Sequence, residues 1–196
     1  MSKLFCLMGK SSSGKDTIYR MLLESSELKL NSIVPYTTRP IRFGEKEGKE
    51  YHFVDDNDLK TLEDEGKVVE KRVYHTCHGD WTYFTVDDGQ IDFSKNDYIV
   101  IGTVESFSKI QSYFGKEKVV PIYIEVDDGI RLQRALTREM SQKEPKYAEM
   151  CRRFLADAED FSEEKLKEAG ITKRFKNEAL EDTIENISSF IKNQEI

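Results

Sequence analysis

The chain is expected to fold as an α/β protein: a parallel sheet wrapped by helices, with an antiparallel subdomain inserted in its middle. Three observations predict this. Strand-like and helix-like segments alternate at both ends of the chain. Residues 97–103 (DYIVIGT) and 119–126 (VVPIYIEV) are near-continuous apolar runs, the pattern of strands covered on both faces. Between residues 32 and 90 the pattern changes to short alternating segments, typical of a small antiparallel unit. Residues 1–31 and 91–196 are therefore read as the core and 32–90 as the insertion, all within one domain, which the chain's 196 residues suffice to build.

The elements follow in order. Residues 3–8 (KLFCLM) form a short apolar run stopped by Gly9, a buried strand. Ile18, Met21 and Leu22 recur at helical spacing and predict a helix over 15–25. Residues 31–36 (NSIVPY) predict a second strand. Residues 55–66 begin with capping aspartates and end at Gly66, both helix signals. Residues 67–74 (KVVEKRVY) and 80–86 (DWTYFTV) alternate as strands. Residues 105–114 read as a crossover helix between the two apolar strands. Helices are expected over 128–139 and 146–161, a strand over 171–177 and a closing helix over 179–193.

Composition narrows the function classes. Apolar residues make up 38% and charged residues 34%, as in water-soluble globular proteins. No window carries the 18 or so consecutive apolar residues of a membrane span. The apolar run at the N-terminus is too short for a signal peptide, so a cytoplasmic location is expected. A net charge of −7 argues against general nucleic-acid binding. Cys6, Cys77 and Cys151 are too few and scattered for a disulfide framework and are expected as reduced thiols. His75, Cys77 and His78 are metal-type ligands, but a strand splits them between faces and no fourth ligand is evident, so zinc is not expected.

Two constellations carry chemistry. The first is GKSSSGKDT, residues 9–17, between a predicted strand and a predicted helix. Gly9, Gly14 and Lys15 fit the spacing G-x-x-x-x-G-K of a phosphate-binding loop. Such glycines let successive N–H groups face one anion, and the helix N-terminus adds partial positive charge. Gly9, Lys10, Ser11, Ser12, Ser13, Gly14 and Lys15 are thus candidates to hold the phosphates of ATP, with Lys15 supplying a mobile full charge. Asp16 stands where a hydroxyl residue is usual. Its carboxylate is a hard oxygen donor, so Asp16 and its neighbour Thr17 are candidates to hold Mg²⁺ with ATP. The alternative for Asp16 is a simple helix cap. The second constellation is TTRPIRFGEKEGKEYHFV, residues 37–54. Arg39 and Arg42 flank a stiffening proline and Tyr51 adds a phenol, a second anion site, since guanidinium forks pair with phosphate.

This second segment, downstream of the phosphate loop, resembles the monophosphate-binding segment of the guanylate kinase family, and the resemblance extends over essentially the whole chain. It implies a P-loop NTPase fold with an inserted monophosphate-binding subdomain and a lid near 134–153. It further implies Mg·ATP-dependent phosphoryl transfer to GMP, giving GDP, by a monomer or homodimer. By resemblance Thr38, Arg39, Arg42 and Tyr51 bind the acceptor's phosphate end, and Glu70 accepts hydrogen bonds from guanine N1 and N2 groups. The family's Tyr-Gly-Ser/Thr turn aligns best with His78, Gly79 and Asp80. Arg134 and Arg138 on one helix and Arg153 on the next resemble the lid arginines that reach the transferring group, with Arg152 competing for the last role. Asn177 resembles an asparagine near the donor adenine.

The base-reading positions depart from the family pattern. Pro35 replaces a serine and cannot donate, and Asp80 replaces a hydroxyl. Gly102 and Val104 occupy the places of two aspartates, with Glu105 the nearest carboxylate. Buried hydrogen-bonding partners of this kind set base discrimination. Two other functions are therefore weighed: a kinase of another small phosphorylated acceptor, such as a different nucleotide or a phosphorylated sugar, and a non-catalytic interaction module.

Overall fold

The structure is a computed structural model that describes residues 2–42, 44–76 and 79–194. Strand β1 (Leu4–Met8) lies at its centre, every residue buried. Its alternating side chains feed two cores. Leu4, Cys6 and Met8 pack with Phe107, Ile110 and Phe161 on one side. Phe5 and Leu7 pack on the other with Ile18 and Leu22 of α1 (Lys15–Glu24) and with Ile187 and Ile191 of α7 (Leu180–Lys192). Helices on both faces of one sheet make the α/β layering that the buried apolar runs predict.

That sheet has the order β2-β7-β1-β8-β9, where β2 is Asn31–Ser32, β7 Tyr98–Gly102, β8 Val119–Glu125 and β9 Arg174–Lys176. All its pairings are parallel. Hence the loops after β1, β7, β8 and β9 emerge at one carboxyl edge, where open α/β sheets bind ligands. Helix α3 (Val104–Phe114) follows β7, capped by a reciprocal Thr103–Ser106 box. Helices α4 (Asp128–Met140), α5 (Tyr147–Asp160) and α6 (Glu163–Glu168) follow β8.

A second sheet has the order β4-β3-β6-β5, from β3 (Tyr36–Thr37), β4 (His52–Phe53), β5 (Val68–Thr76) and β6 (Gly79–Val86). Helix α2 (Asp56–Asp64), held by an Asp55–Asp58 capping box, covers one face through Leu59, Phe84 and Val86. Val69 of β5 enters the main core, and Lys109 Nζ of α3 donates to Lys71 O at 3.2 Å. The second sheet is thereby fastened to the first.

Two expectations are corrected. Residues 31–36 are not one strand: β2 ends at Ser32 in the first sheet, and β3 starts at Tyr36 in the second. Pro35 lies in the crossing, where it has no N–H to give, and its carbonyl accepts from His52 N at 2.9 Å. The helix expected to end at 161 is followed by α6, which Ser162 caps and Gly170, in the left-handed region, terminates. Among the described residues no helix is long and apolar enough to cross a membrane.

Candidate active site

The loop of residues 9–14 leaves β1 at the carboxyl edge and turns into α1. The turn demands Gly14, whose φ of 87° is left-handed and whose added Cβ would lie 2.5 Å from Asn177 Nδ2. Gly9 is equally confined: a Cβ there would meet Ser13 Oγ at 2.8 Å and Ile124 O at 2.9 Å. Asn177 Nδ2 donates to Ser13 O at 2.8 Å, so this residue supports the loop from below. It also lines a cleft of 410 Å³ with Lys10, Tyr123, Asp127, Arg131 and Glu178. Lys15 begins α1, its Nζ 3.5 Å from Asp16 Oδ2, and the Asp16 side chain is 80% exposed beside half-buried Thr17.

A network that no sequence motif announces braces this loop. Arg131 on α4, 1% exposed, donates to Ser11 O at 2.8 Å and to Asp157 Oδ2 at 3.3 Å. Asp157 Oδ2 in turn accepts from Ser11 N at 2.8 Å, so one ion pair holds both backbone groups of Ser11. Arg131 also reaches Asp128 Oδ1 through Nε and a terminal nitrogen, and stacks over Phe154 with 4.7 Å to the ring centre. Burial raises the Asp128 pKa, but hydrogen bonds and charge from Arg131 and Lys10 outweigh it and leave it below the usual value. Arg131, Ala135 and Glu139 form the buried stripe of α4. Their spacing was visible, but a stripe with a charge at each end reads as surface.

Arg134 and Arg138 are exposed on α4. Of the two arginines that competed on α5, Arg153 reaches the loop, donating to Ser11 Oγ at 3.4 Å, whereas Arg152 pairs with Glu149 at 2.7 Å.

The second constellation gathers on the open face of the smaller sheet. Arg39, 3% exposed, donates through NH1 to Glu45 Oε2 at 2.7 Å and through NH2 to Glu45 Oε1 at 2.6 Å. Those bonds hold the Glu45 carboxyl down at about 2. The guanidinium lies 5.0 Å from the ring centre of Tyr51, 5.3 Å from Phe53 and 5.9 Å from Tyr83. Arg39 is therefore largely committed within the protein, with Nε left without a partner. Arg42 is exposed over Trp81 at 5.9 Å. Burial, then the neighbouring Tyr83, push the Tyr51 phenol up, and Arg39 and Arg72 pull it the other way. Thr38 ties this cluster to β6, its Oγ1 accepting from Thr82 N at 3.0 Å.

Strand register decides which further residues share this face. Glu70 stands opposite Thr85, Arg72 opposite Tyr83 and Tyr74 opposite Trp81. Glu70, 4% exposed, accepts from Thr85 Oγ1 at 2.9 Å and from Arg72 Nε at 3.2 Å. Gly79 and Asp80 are not brought to Glu70: they pair with Thr76 and His75, at the far end of the hairpin. Asp80 Oδ1 is engaged by His75 Nδ1 at 2.7 Å. His78 and Cys77 lie outside the described residues. Tyr83 and Thr85 occupy the positions beside Arg39 and Glu70 instead. Residue counting from Glu70 missed them, because it cannot supply the length of a hairpin whose turn is unknown.

The place of the absent aspartates is closed. A Cβ at Gly102 would lie 2.7 Å from Ser106 Oγ and 2.8 Å from Cys6 Sγ. Val104 is buried, and Glu105 turns outward to pair with Lys109 at 2.6 Å. Burial pushes the Cys6 thiol up to about 12, with Glu70 adding to the rise and Arg72 opposing it.

Comparison with known proteins adds the family. The family model for guanylate kinase matches residues 1–194. The guanylate kinase of Nitrosomonas europaea is 37% identical over 75 residues, 38% of this chain and 37% of that protein. That of Schizosaccharomyces pombe is 41% identical over 68 residues, 35% of this chain and 34% of that protein. The matched stretch thus spans little more than a third of these curated relatives. The crystal structure of guanylate kinase from Anaplasma phagocytophilum superposes with a TM-score of 0.67 at 20% identity, covering 98% of this chain and 86% of that one. At that identity the likeness is one of fold, the P-loop NTPase architecture.

Proposed function

The chain belongs to the guanylate kinase family, and on that premise we propose that it transfers the γ-phosphoryl group of Mg·ATP to GMP, giving ADP and GDP. One observation supports this above the others. Among the described residues, three buried side-chain donors have no partner: Ser12 Oγ, Ser13 Oγ and Arg39 Nε. Buried donors are almost always satisfied, and these three fall in the two proposed anion sites and nowhere else.

The roles follow from the chemistry. The loop amides and Lys15 hold the donor phosphates, while the donor base enters the cleft beside Asn177. Arg42, Tyr51 and Tyr83 meet the acceptor phosphate at the mouth of the Arg39 cluster, and Thr38 positions that cluster. Arg134, Arg138 and Arg153 form a lid over residues 134–153 that neutralises charge on the migrating group, because phosphoryl transfer asks for positioning and cations more than covalent help. Asp16 and Thr17 suit Mg²⁺, which takes one or two carboxylate or hydroxyl oxygens and fills its shell with phosphate and water. Bound there, the ion supplies further charge neutralisation at the donor phosphates. Residues 32–90 act as the acceptor-binding subdomain.

The closed space at Gly102 and the prolyl Pro35 favour a second reading, a kinase of a different phosphorylated acceptor. Release of ADP from Mg·ATP, measured across a panel of acceptors, tests both. GMP is expected to accelerate release at least about tenfold over ATP alone. No acceleration by GMP, with acceleration by another phosphorylated compound, would replace the first reading by the second. A flat panel with intact Mg·ATP binding would leave a binding module.

A further inference from the structure

We propose that Arg72 is a specificity-determining residue that reads a ring carbonyl of the acceptor, so that with Glu70 it selects monophosphates whose base presents an N–H beside a C=O. This rests on the acceptor-site reading above and names the residue that reads the carbonyl edge, which favours 6-oxopurine nucleotides over 6-aminopurine ones.

The geometry is specific. Paired residues in an antiparallel ladder share a face, and alternate residues along a strand do too. The open face of β5 and β6 therefore carries, in rows, Trp81 beside Tyr74, Tyr83 beside Arg72, and Thr85 beside Glu70. The phosphate end lies at Tyr83, within reach of Arg39 and Tyr51. Arg72 stands across the ladder from Tyr83, and Glu70 with Thr85 forms the next pair on this face.

Arg72 is held there. Its Nε donates to Glu70 Oε2 at 3.2 Å, and its side chain is 19% exposed. NH1 and NH2 have no hydrogen-bond partner among the described residues, so a planar pair of donors remains to be satisfied. Glu70 accepts one bond on each oxygen, from Thr85 and Arg72, and a carboxylate has about four acceptor positions, so it can take more. Arg72 and the buried Glu70, whose side chain is 1% exposed, thus form a donor fork immediately beside a carboxylate acceptor. Its complement is a carbonyl adjacent to an N–H, the C6=O and N1–H edge of guanine or hypoxanthine. Adenine presents the reverse, a donor amine beside an acceptor nitrogen, and would leave both Arg72 and Glu70 facing like groups. The positions that lack donors elsewhere, Pro35 and Gly102, leave Arg72 as the carbonyl reader.

IMP and AMP differ on this edge alone, so they make the clean comparison. Binding of GMP, IMP and AMP to the full chain is measured by calorimetry, with ADP release followed in parallel. IMP is expected to bind roughly tenfold or more tighter than AMP, and Arg72→Met to bring that ratio close to one. Arg72→Lys keeps a charge beside Glu70, and with it the fold, but removes the planar fork; it too is expected to erase most of the ratio. Equal IMP and AMP affinity in the wild type would overturn the proposal. So would variants that keep the ratio, or that weaken all three nucleotides alike, the mark of a phosphate ligand. The two readings separate cleanly. Preferential IMP binding with no ADP release would leave the edge reading standing and remove the kinase. ADP release driven equally by AMP and IMP would do the opposite, and no binding of any monophosphate would remove both.

Discussion

Lys15→Met is expected to lower turnover about a hundred- to a thousandfold, the cost of removing one preorganised charge from a developing transition state, while leaving the melting temperature within a few degrees of the wild type. The expectation of an intact fold comes from its surroundings. Lys15 begins α1, and its ammonium has one ionic partner among the described residues, Asp16 at 3.5 Å, whose carboxylate is itself largely in water. A pair with one partner in water and a separation this long contributes about 0–1 kcal/mol. The loop's shape depends instead on Gly14, on Asn177 below and on the Arg131 network at its side. Removing the lysine therefore strips charge from the cradle and leaves its backbone in place. ADP release and a thermal melt on the same preparation check both halves. Retained turnover would remove Lys15 from the mechanism.

Arg131→Met is expected to have the largest effect on stability, about 3 kcal/mol, the cost of breaking one half of a buried ion pair. For a chain of this size that is on the order of 10 °C in melting temperature. The loss has identifiable parts. Asp157 would face the loop without its counter-charge, Ser11 O would lose its donor, and Asp128 would keep only Lys10. Because Asp157 also accepts from Ser11 N, the loop itself should loosen, and the KM for ATP should rise more than kcat falls. The double variant Arg131→Met/Asp157→Ala is expected to cost less than the sum of the two single changes, since neither then leaves a stranded charge. Additive costs would show that the two residues do not act as a pair.

Much of the frame was legible because it rests on covered apolar runs. β1, β7 and β8 are buried on both faces and contain few polar interruptions. Gly9, Gly14 and Lys15 were legible because a phosphate loop fixes residue types at fixed spacing. What escaped was set by tertiary pairing. The segment 31–36 was expected as one strand, yet the chain changes sheets at Pro35. Arg131 was hidden because a buried arginine has the same letter as an exposed one, and the partner that allows its burial, Asp157, lies on another helix. Tyr83 and Thr85 were hidden by a hairpin register that counting forward from Glu70 cannot supply. Arg39 is expected from its motif as a phosphate ligand, but the motif does not show that Glu45, six residues on, takes most of its fork.

The central claim is that two anion sites, one built on the loop after β1 and one on the open face of the second sheet, face each other across the span of a polyphosphate. The most direct measurement is the affinity of a single molecule in which adenosine and guanosine are joined 5′ to 5′ by five phosphates, compared with ATP and GMP separately. If the sites face each other, one end raises the effective concentration of the other, and the linked molecule should bind on the order of a hundredfold or more tighter than the better single nucleotide. Binding no tighter than ATP alone would mean that the two sites cannot be bridged, and the phosphoryl-transfer account would be wrong.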